Sequence, residues 1–354
     1  MLQIDKLLEA TIRRNAEDLI LTVDRPPMLR LDNEINPLPT ETLGPADTVA
    51  LMKSITPERF QQVLQEEGSA DFGFSFRGLA SFRVAVYRQQ GNVAVVLRQI
   101  PSKIRTFDEL GLGAGIQELL FRPRGLLLVT GPTGSGKTTT LATMIDHINA
   151  NRKVHILTIE DPIEYRHKHQ KSIVSQREVG IDVTSFADAL RAALRETPDV
   201  ILVGEMRDLE STRLAISASE TGHLVLSTVH TQSAQSTVER IIDEFPAAQQ
   251  AQIRIQLANS LLAILAQTLI PRVGGGLVAG YEILLATPAV RHLIRDNKTF
   301  RIDSAIQTSR DRGMQLLDDD LLRLYGQGAI ERTEVLMRCR YPEEVARSLV
   351  EMEV

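Results

Sequence analysis

The run Gly131-Pro132-Thr133-Gly134-Ser135-Gly136-Lys137-Thr138 constrains what this chain can fold into more than any other segment. It matches GxxxxGK[ST], follows the apolar run 126–129 and precedes a helical stretch, which is the strand–loop–helix setting of a phosphate-binding loop. Successive backbone N–H groups must turn inward around a phosphate, a conformation that side chains obstruct, so glycine is required there. The N-terminus of the next helix adds partial positive charge. Residues 131–138 with Thr139 form the nucleotide-binding set: Gly131, Pro132, Thr133, Gly134, Ser135, Gly136, Lys137, Thr138 and Thr139. Lys137 neutralises the β and γ phosphates, and Thr138 offers a hydroxyl ligand to Mg²⁺.

Around this loop, the apolar runs 126–129, 154–159, 200–203 and 224–229 are bounded by polar or glycine residues and alternate with helical stretches, which predicts a parallel sheet with helical crossovers. Ser185 and Asp188 cap a helix carrying Phe186, Leu190 and Leu194, with Pro198 beyond its end, and a second helix runs from 209 to 221 and stops at Gly222. Ligands of open parallel sheets bind beyond the carboxyl ends of the strands. At those ends stand Glu160, Glu205 and His230. Taken singly, each reads equally as a helix cap or a loop polar group. Taken together with the loop, Glu205 is the candidate to polarise the attacking water, Glu160 joins it near the metal, both through water, and His230 senses the γ-phosphate. His223 lies about 23 Å from His230 at ~3.3 Å per residue; it is either structural or a contact to another subunit.

Upstream, Leu2, Leu7, Leu8, Ile12 and Leu19 predict an amphipathic helix over 2–19. Period-two alternation through Phe74, Phe82, Val84, Val93 and Leu97, with a hairpin turn at Gly91-Asn92, then predicts a small α+β domain. The stretch 101–115 reads as a linker, and the residues beyond 271–276 read as mostly helical.

Composition removes several classes. With 40 basic against 45 acidic residues, no Trp and 4% aromatics, the chain lacks the basic groove and stacking platform of a single-strand nucleic-acid motor. Its one cysteine, Cys339, cannot form a tetrathiolate zinc site. The start, MLQIDKLLEA, lacks a secretion signal, and no apolar run approaches the ~20 residues of a membrane-spanning helix, so a cytoplasmic location with only peripheral membrane contact is expected. A guanine-reading NKxD is absent, since Asn297-Lys298-Thr299-Phe300 lacks the Asp.

Further motifs carry a resemblance. ILTIEDPIEY at 156–165, VILVGEMRD at 200–208, TGHLVLSTVHT at 221–231 and AVRHLIRD at 289–296 resemble, in order, the acidic box, second nucleotide motif, histidine box and retraction-branch C-terminal motif of the secretion and pilus motor ATPases. The last departs from its commonest form at Val290, His292 and Asp296.

The resemblance covers essentially the whole chain. It implies a RecA-like P-loop ATPase domain at 119–354, helical from about 270, joined through a linker at 106–118 to a PAS-like N-terminal domain at 1–105. It further implies a homohexamer that hydrolyses ATP with Mg²⁺ to power pilus retraction, docked on an inner-membrane platform protein, acting indirectly on pilin and binding no nucleic acid. Arg83 and Arg98, otherwise readable as solvated surface, become stabilisers of transition-state charge. His223, Arg207, Arg291, Leu293, Ile294 and Arg295 become interface or coupling residues. A second retraction paralogue and the extension or type II secretion ATPases are the neighbouring alternatives. The latter two usually carry a four-cysteine module that this chain cannot build.

Overall fold

Alternating apolar residues in the first third of the chain close into a six-stranded antiparallel sheet, β1 (Asp18–Leu21), β2 (Met28–Leu31), β3 (Glu34–Pro37), β4 (Ser69–Phe76), β5 (Ala80–Gln89) and β6 (Asn92–Ile100), in the order β3-β2-β1-β6-β5-β4. Helices α1 (Ile4–Arg13), α2 (Pro45–Ile55) and α3 (Glu58–Glu67) bury Leu7, Leu8, Leu51 and Leu64 in one core with Phe82, Val84 and Leu97 of the sheet. The computed structural model describes residues 3–31, 34–100 and 103–352. The chain separates into two units, residues 1–103 with 162–166 and residues 104–161 with 167–354.

Three local expectations shift in the first unit. The β5–β6 turn is Gln90-Gly91, with φ of 49° and 79°, one residue before the expected Gly91-Asn92; Asn92 already pairs with Gln89. Two consecutive positive φ values give the twist that suits a two-residue hairpin. Helix α1 stops at Arg13, followed by Asn15 at φ 51°, so Leu19 belongs to β1 and not to the helix. Leu2 and Pro101 lie outside the described residues.

The second unit opens with α4 (Phe107–Leu110) and α5 (Ala114–Leu119), followed by β7 (Gly125–Thr130), α6 (Lys137–Asn151), β8 (His155–Glu160), β9 (Ile173–Glu178), α7 (Phe186–Ala193), β10 (Val200–Val203), α8 (Leu209–Glu220) and β11 (Leu224–Val229). It continues through α9 (Ala234–Asp243), α10 (Ala247–Ser260), β12 (Leu261–Pro271), β13 (Leu277–Leu285), α11 (Pro288–Arg295), α12 (Ile302–Gln307), α13 (Leu317–Gly326), α14 (Arg332–Arg338) and α15 (Pro342–Met352). The sheet has seven strands in the order β13-β12-β7-β11-β10-β8-β9, all neighbours parallel except the β12–β13 pair.

The four expected core strands are present, and three more join them. Edge strand β9 and the β12–β13 hairpin were absent from the sequence expectation; beyond 271–276 the chain is mostly helical as expected, with β13 the unexpected strand before helices resume at Pro288. Apolar layers cover both faces. One contains Phe186, Ile216, Val238 and Leu257 from the helices; the other contains Leu110, Ile116, Met144 and Ile148.

Helices α13–α15 form a small cluster of their own around Leu321, Val335 and Leu349, which includes Ile270 of β12. The buried Asp320 carboxylate ties α13 to the sheet, accepting from the Tyr281 N–H of β13 at 2.9 Å and from Arg323 Nε at 2.8 Å. Asp320→Ala leaves a buried N–H without its acceptor while the largely exposed Arg323 is resolvated, so the expected loss is about 1–3 kcal/mol, read as a lower midpoint in chemical denaturation.

Candidate active site

Strand β7 delivers the chain into a loop whose backbone is turned by glycine. Gly131, Gly134 and Gly136 have φ of 142°, 79° and 85°, values that L side chains rarely adopt. Space is restricted as well: a Cβ on Gly131 would lie 2.2 Å from the Gln267 carbonyl oxygen, and one on Gly136 would lie 2.9 Å from Gln267 Nε2. Gly136 is the N-cap of α6, so the N–H groups of its first turn have no intrahelical acceptors and the helix dipole points into the loop. Lys137 is buried, and its ammonium donates to the Gly131 and Pro132 carbonyls at 3.0 and 2.9 Å. Among the described residues, the buried Thr130 and Ser135 hydroxyls have no hydrogen-bond partner. A glycine-lined cradle with unpaired donors and a local cation fits a polyphosphate. Beside it, a cavity of about 180 Å³ is lined by Arg105, Leu110, Gly136, Thr139, Gln267 and Leu269, a size and mixed polarity that suit a nucleobase.

The expected acidic and histidine positions stand at neighbouring strand ends. Strands β7, β11, β10 and β8 are consecutive in the sheet, so the loop, His230, Glu205 and Glu160 follow one another along its carboxyl edge. Glu205 Oε2 is 3.4 Å from His230 Nε2, and its Oε1 pairs with Arg207, which also reaches Asp161 at 3.1 Å. The bond to Glu205, followed by the attraction of Glu205 and Asp161, holds the Arg207 guanidinium above its ordinary pKa. Gly204, standing where an acid is commoner in this motif, has a packing reason: its N–H donates to Ile159 O at 2.8 Å, and a Cβ would meet that same oxygen at 3.2 Å.

Glu160 is buried, three strand positions from the loop, and accepts from Thr158 Oγ1 at 2.6 Å and Gln176 Nε2 at 3.1 Å. Gln176, on the unexpected strand β9, also accepts the His167 N–H at 2.8 Å, which ties the 161–172 connection to the acid. Sequence reading missed it because β9 is polar and lies at the edge.

His223 immediately precedes β11 at the opposite end of the sheet, where its Nδ1 is 3.0 Å from Ala218 O of α8. Arg83 and Arg98 belong to the first unit and are cross-strand partners on β5 and β6. Arg98 donates to the buried Asp18 at 2.9 Å, and Arg30 reaches the other carboxylate oxygen at 2.8 Å. Hydrogen bonding and attraction from Asp18 raise the Arg98 pKa.

Helix α11 differs from a simple charged surface. Val290 and Ile294 are fully buried in the core, Leu293 is half-buried and Arg295 is exposed. Arg291 folds inward. Its guanidinium donates to the carbonyls of Ala286 at 2.9 Å, Asn259 at 2.6 Å, Leu261 at 2.8 Å and also Ala258, closing the carboxyl end of α10. Desolvation, then Arg295, lowers its pKa. Within the chain, therefore, Arg291 and Ile294 hold the fold, whereas Arg295, with His292 and Asp296, is exposed to solvent.

The sequence profile of the type II/IV secretion system protein family matches residues 77–277. The chain belongs to this family. It is 46% identical over 342 residues to the type IV pilus retraction ATPase PilT of Pseudomonas aeruginosa, covering 97% of this chain and 99% of that one. It is 39% identical to the type IV pilus ATPase PilU of the same species, over 95% of this chain and 88% of PilU. A crystal structure of the pilus retraction motor PilT with bound ADP superposes with a TM-score of 0.92 at 48% identity, covering 98% of this chain and all of that one. Like its secretion-family relatives, the chain is an ATPase with an α/β fold.

Three substitutions separate the cradle from the surrounding fold. Gly131→Ala forces a Cβ against backbone and is expected to abolish nucleotide binding in a fluorescent-nucleotide titration. Arg291→Ala removes a four-carbonyl clasp and should lower the melting temperature, whereas Arg295→Ala should leave it unchanged.

Proposed function

We propose that this chain is the ATP-driven motor of type IV pilus retraction, acting as a homohexameric ring. The observation that carries the ATP chemistry is the single sheet edge holding the glycine cradle, His230, Glu205 and Glu160 side by side. Retraction as the output is supported by end-to-end likeness to proteins named for it, at 46% identity to PilT against 39% to PilU.

In this reading Lys137 and the loop N–H groups bind the phosphates, and Thr138 holds Mg²⁺, with Glu160 and Glu205 reaching it through water. Mg²⁺ would neutralise the charge on the phosphate oxygens. Glu205 orients the attacking water, His230 reads the terminal phosphate, and Arg83 and Arg98 stabilise the charge that develops. Arg207, His223, Leu293 and Arg295 serve the contacts between subunits or the coupling to movement, while the buried Ile294 and the inward-folded Arg291 hold α11 in place. The ring acts at the cytoplasmic face of the inner membrane on the pilus platform protein, and through it on pilin. Among the described residues no helix is long and apolar enough to cross a membrane, which fits peripheral attachment.

The test is steady-state ATPase rate per subunit against protein concentration, with and without single-stranded DNA. A rate that rises with concentration and ignores DNA is expected, because assembly completes the site. Strong stimulation by DNA would make a nucleic-acid motor the better reading. Glu205→Gln keeps the shape and removes the charge; it should still bind ATP but turn over at least about 10²-fold more slowly, and near-normal turnover would remove Glu205 from the role. In cells lacking the retraction motor, wild type should restore twitching and Glu205→Gln should not.

A further inference from the structure

Gln267 lies in β12, a strand absent from the sequence expectation, yet it reaches the phosphate loop through both its backbone and its side chain. The parallel register pairs Ala266 with Thr130, the last residue of β7, and so sets residue 267 beside Gly131. The side chain is buried, with 3% of its surface exposed. Its Nε2 donates to the Ser135 carbonyl at 2.7 Å, and its Oε1 accepts from Thr140 Oγ1 at 2.7 Å. A carbonyl can only accept, so the amide nitrogen must face Ser135, and the Thr140 hydroxyl fixes the other end.

This matters because a trans peptide points its C=O and N–H in opposite directions. Holding the Ser135 carbonyl out toward β12 turns the Gly136 N–H, the other half of the same peptide, toward the interior of the loop. The same amide occupies the space beside Gly136, where a Cβ would lie 2.9 Å from Nε2. A backbone at φ 85° has no side chain of its own to hold it, and this contact supplies the restraint.

We infer that Gln267 is a positioning residue for phosphate binding: it locks the Ser135–Gly136 peptide so that the Gly136 N–H faces the phosphates. The inference rests on the nucleotide-binding reading of the loop, and the experiment separates the two. Binding of a fluorescent ADP analogue is titrated on wild type, Gln267→Met and Gln267→Glu, with tripolyphosphate as competitor and thermal melting in parallel. Failure of wild type to bind would defeat the nucleotide reading itself, and this inference with it.

If wild type binds, Gln267→Met, which keeps the volume and loses both hydrogen bonds, should bind about 10- to 100-fold more weakly while staying folded at the assay temperature, its melting lowered only modestly by the stranded buried groups. Gln267→Glu should bind more weakly still, since it sets a carboxylate against the Ser135 carbonyl. The tripolyphosphate inhibition constant should rise in step, placing the loss on the phosphates and not the base, and the turnover loss should fall on KM more than on kcat. Affinity within twofold of wild type in a stable Gln267→Met would overturn the inference. Should that variant melt early, Thr140→Val, which removes only the hydroxyl that orients the amide, decides instead: weaker binding supports the role, unchanged binding overturns it.

Discussion

A phosphate-binding loop is a backbone turned inside out, with its N–H groups held away from the partners that stabilise helices and sheets. Such a turn persists only if its surroundings enforce it. Here the enforcement comes from both sides of β7. Strand β11 pairs along its whole length on one side, and β12 on the other brings residue 267 against both Gly131 and Gly136. The core that buries these strands on both faces is thus what allows an unfavourable backbone to exist at the sheet edge.

The same strand order spreads the chemistry along one line. Consecutive strands lie about 4.8 Å apart, so the loop, His230, Glu205 and Glu160 form a row and not a ring. Hydrogen bonds tie the row together. Arg207 joins Glu205 to Asp161, while Thr158 and Gln176 hold Glu160 in place. Behind the row, the buried Glu282 of β13 accepts the Ala234 N–H at 2.7 Å, holding the start of α9 just past His230. Burial raises the pKa of Glu282, with the Ala234 N–H opposing. The β12–β13 hairpin therefore supports both the phosphate loop and the segment after the histidine.

Much of this was legible in the sequence, because the features concerned are local. The loop motif, the apolar β8, β10 and β11 and the cap Ser185, which accepts from Asp188 N at 3.1 Å, each declare themselves within a few residues. What stayed hidden depends on distant partners. Strand β9 reads IVSQRE, too polar to stand out, and β12 reads LLAILAQTLIP, a run that suits a buried helix as well as a buried strand. Gln267 meets Ser135 across 132 residues of sequence, and nothing beside it in the chain signals that contact. Arg291 was legible as part of a motif but not in its direction. Only the fold reveals that the carboxyl end of α10 lies in its path.

The pairing of Lys137 with the Gly131 and Pro132 carbonyls carries a further consequence. On the proposed reading, the loop contains its own competitor for the lysine, so phosphate entry would be an exchange in which these carbonyl contacts are surrendered as new ones form. That toll is fixed by the loop and is the same for every nucleotide, whereas the return grows with the number of phosphate oxygens that reach the ammonium. On that reading, a loop of this kind would sort nucleotides by the length of their phosphate chain, weighting occupancy toward the di- and triphosphate over the monophosphate.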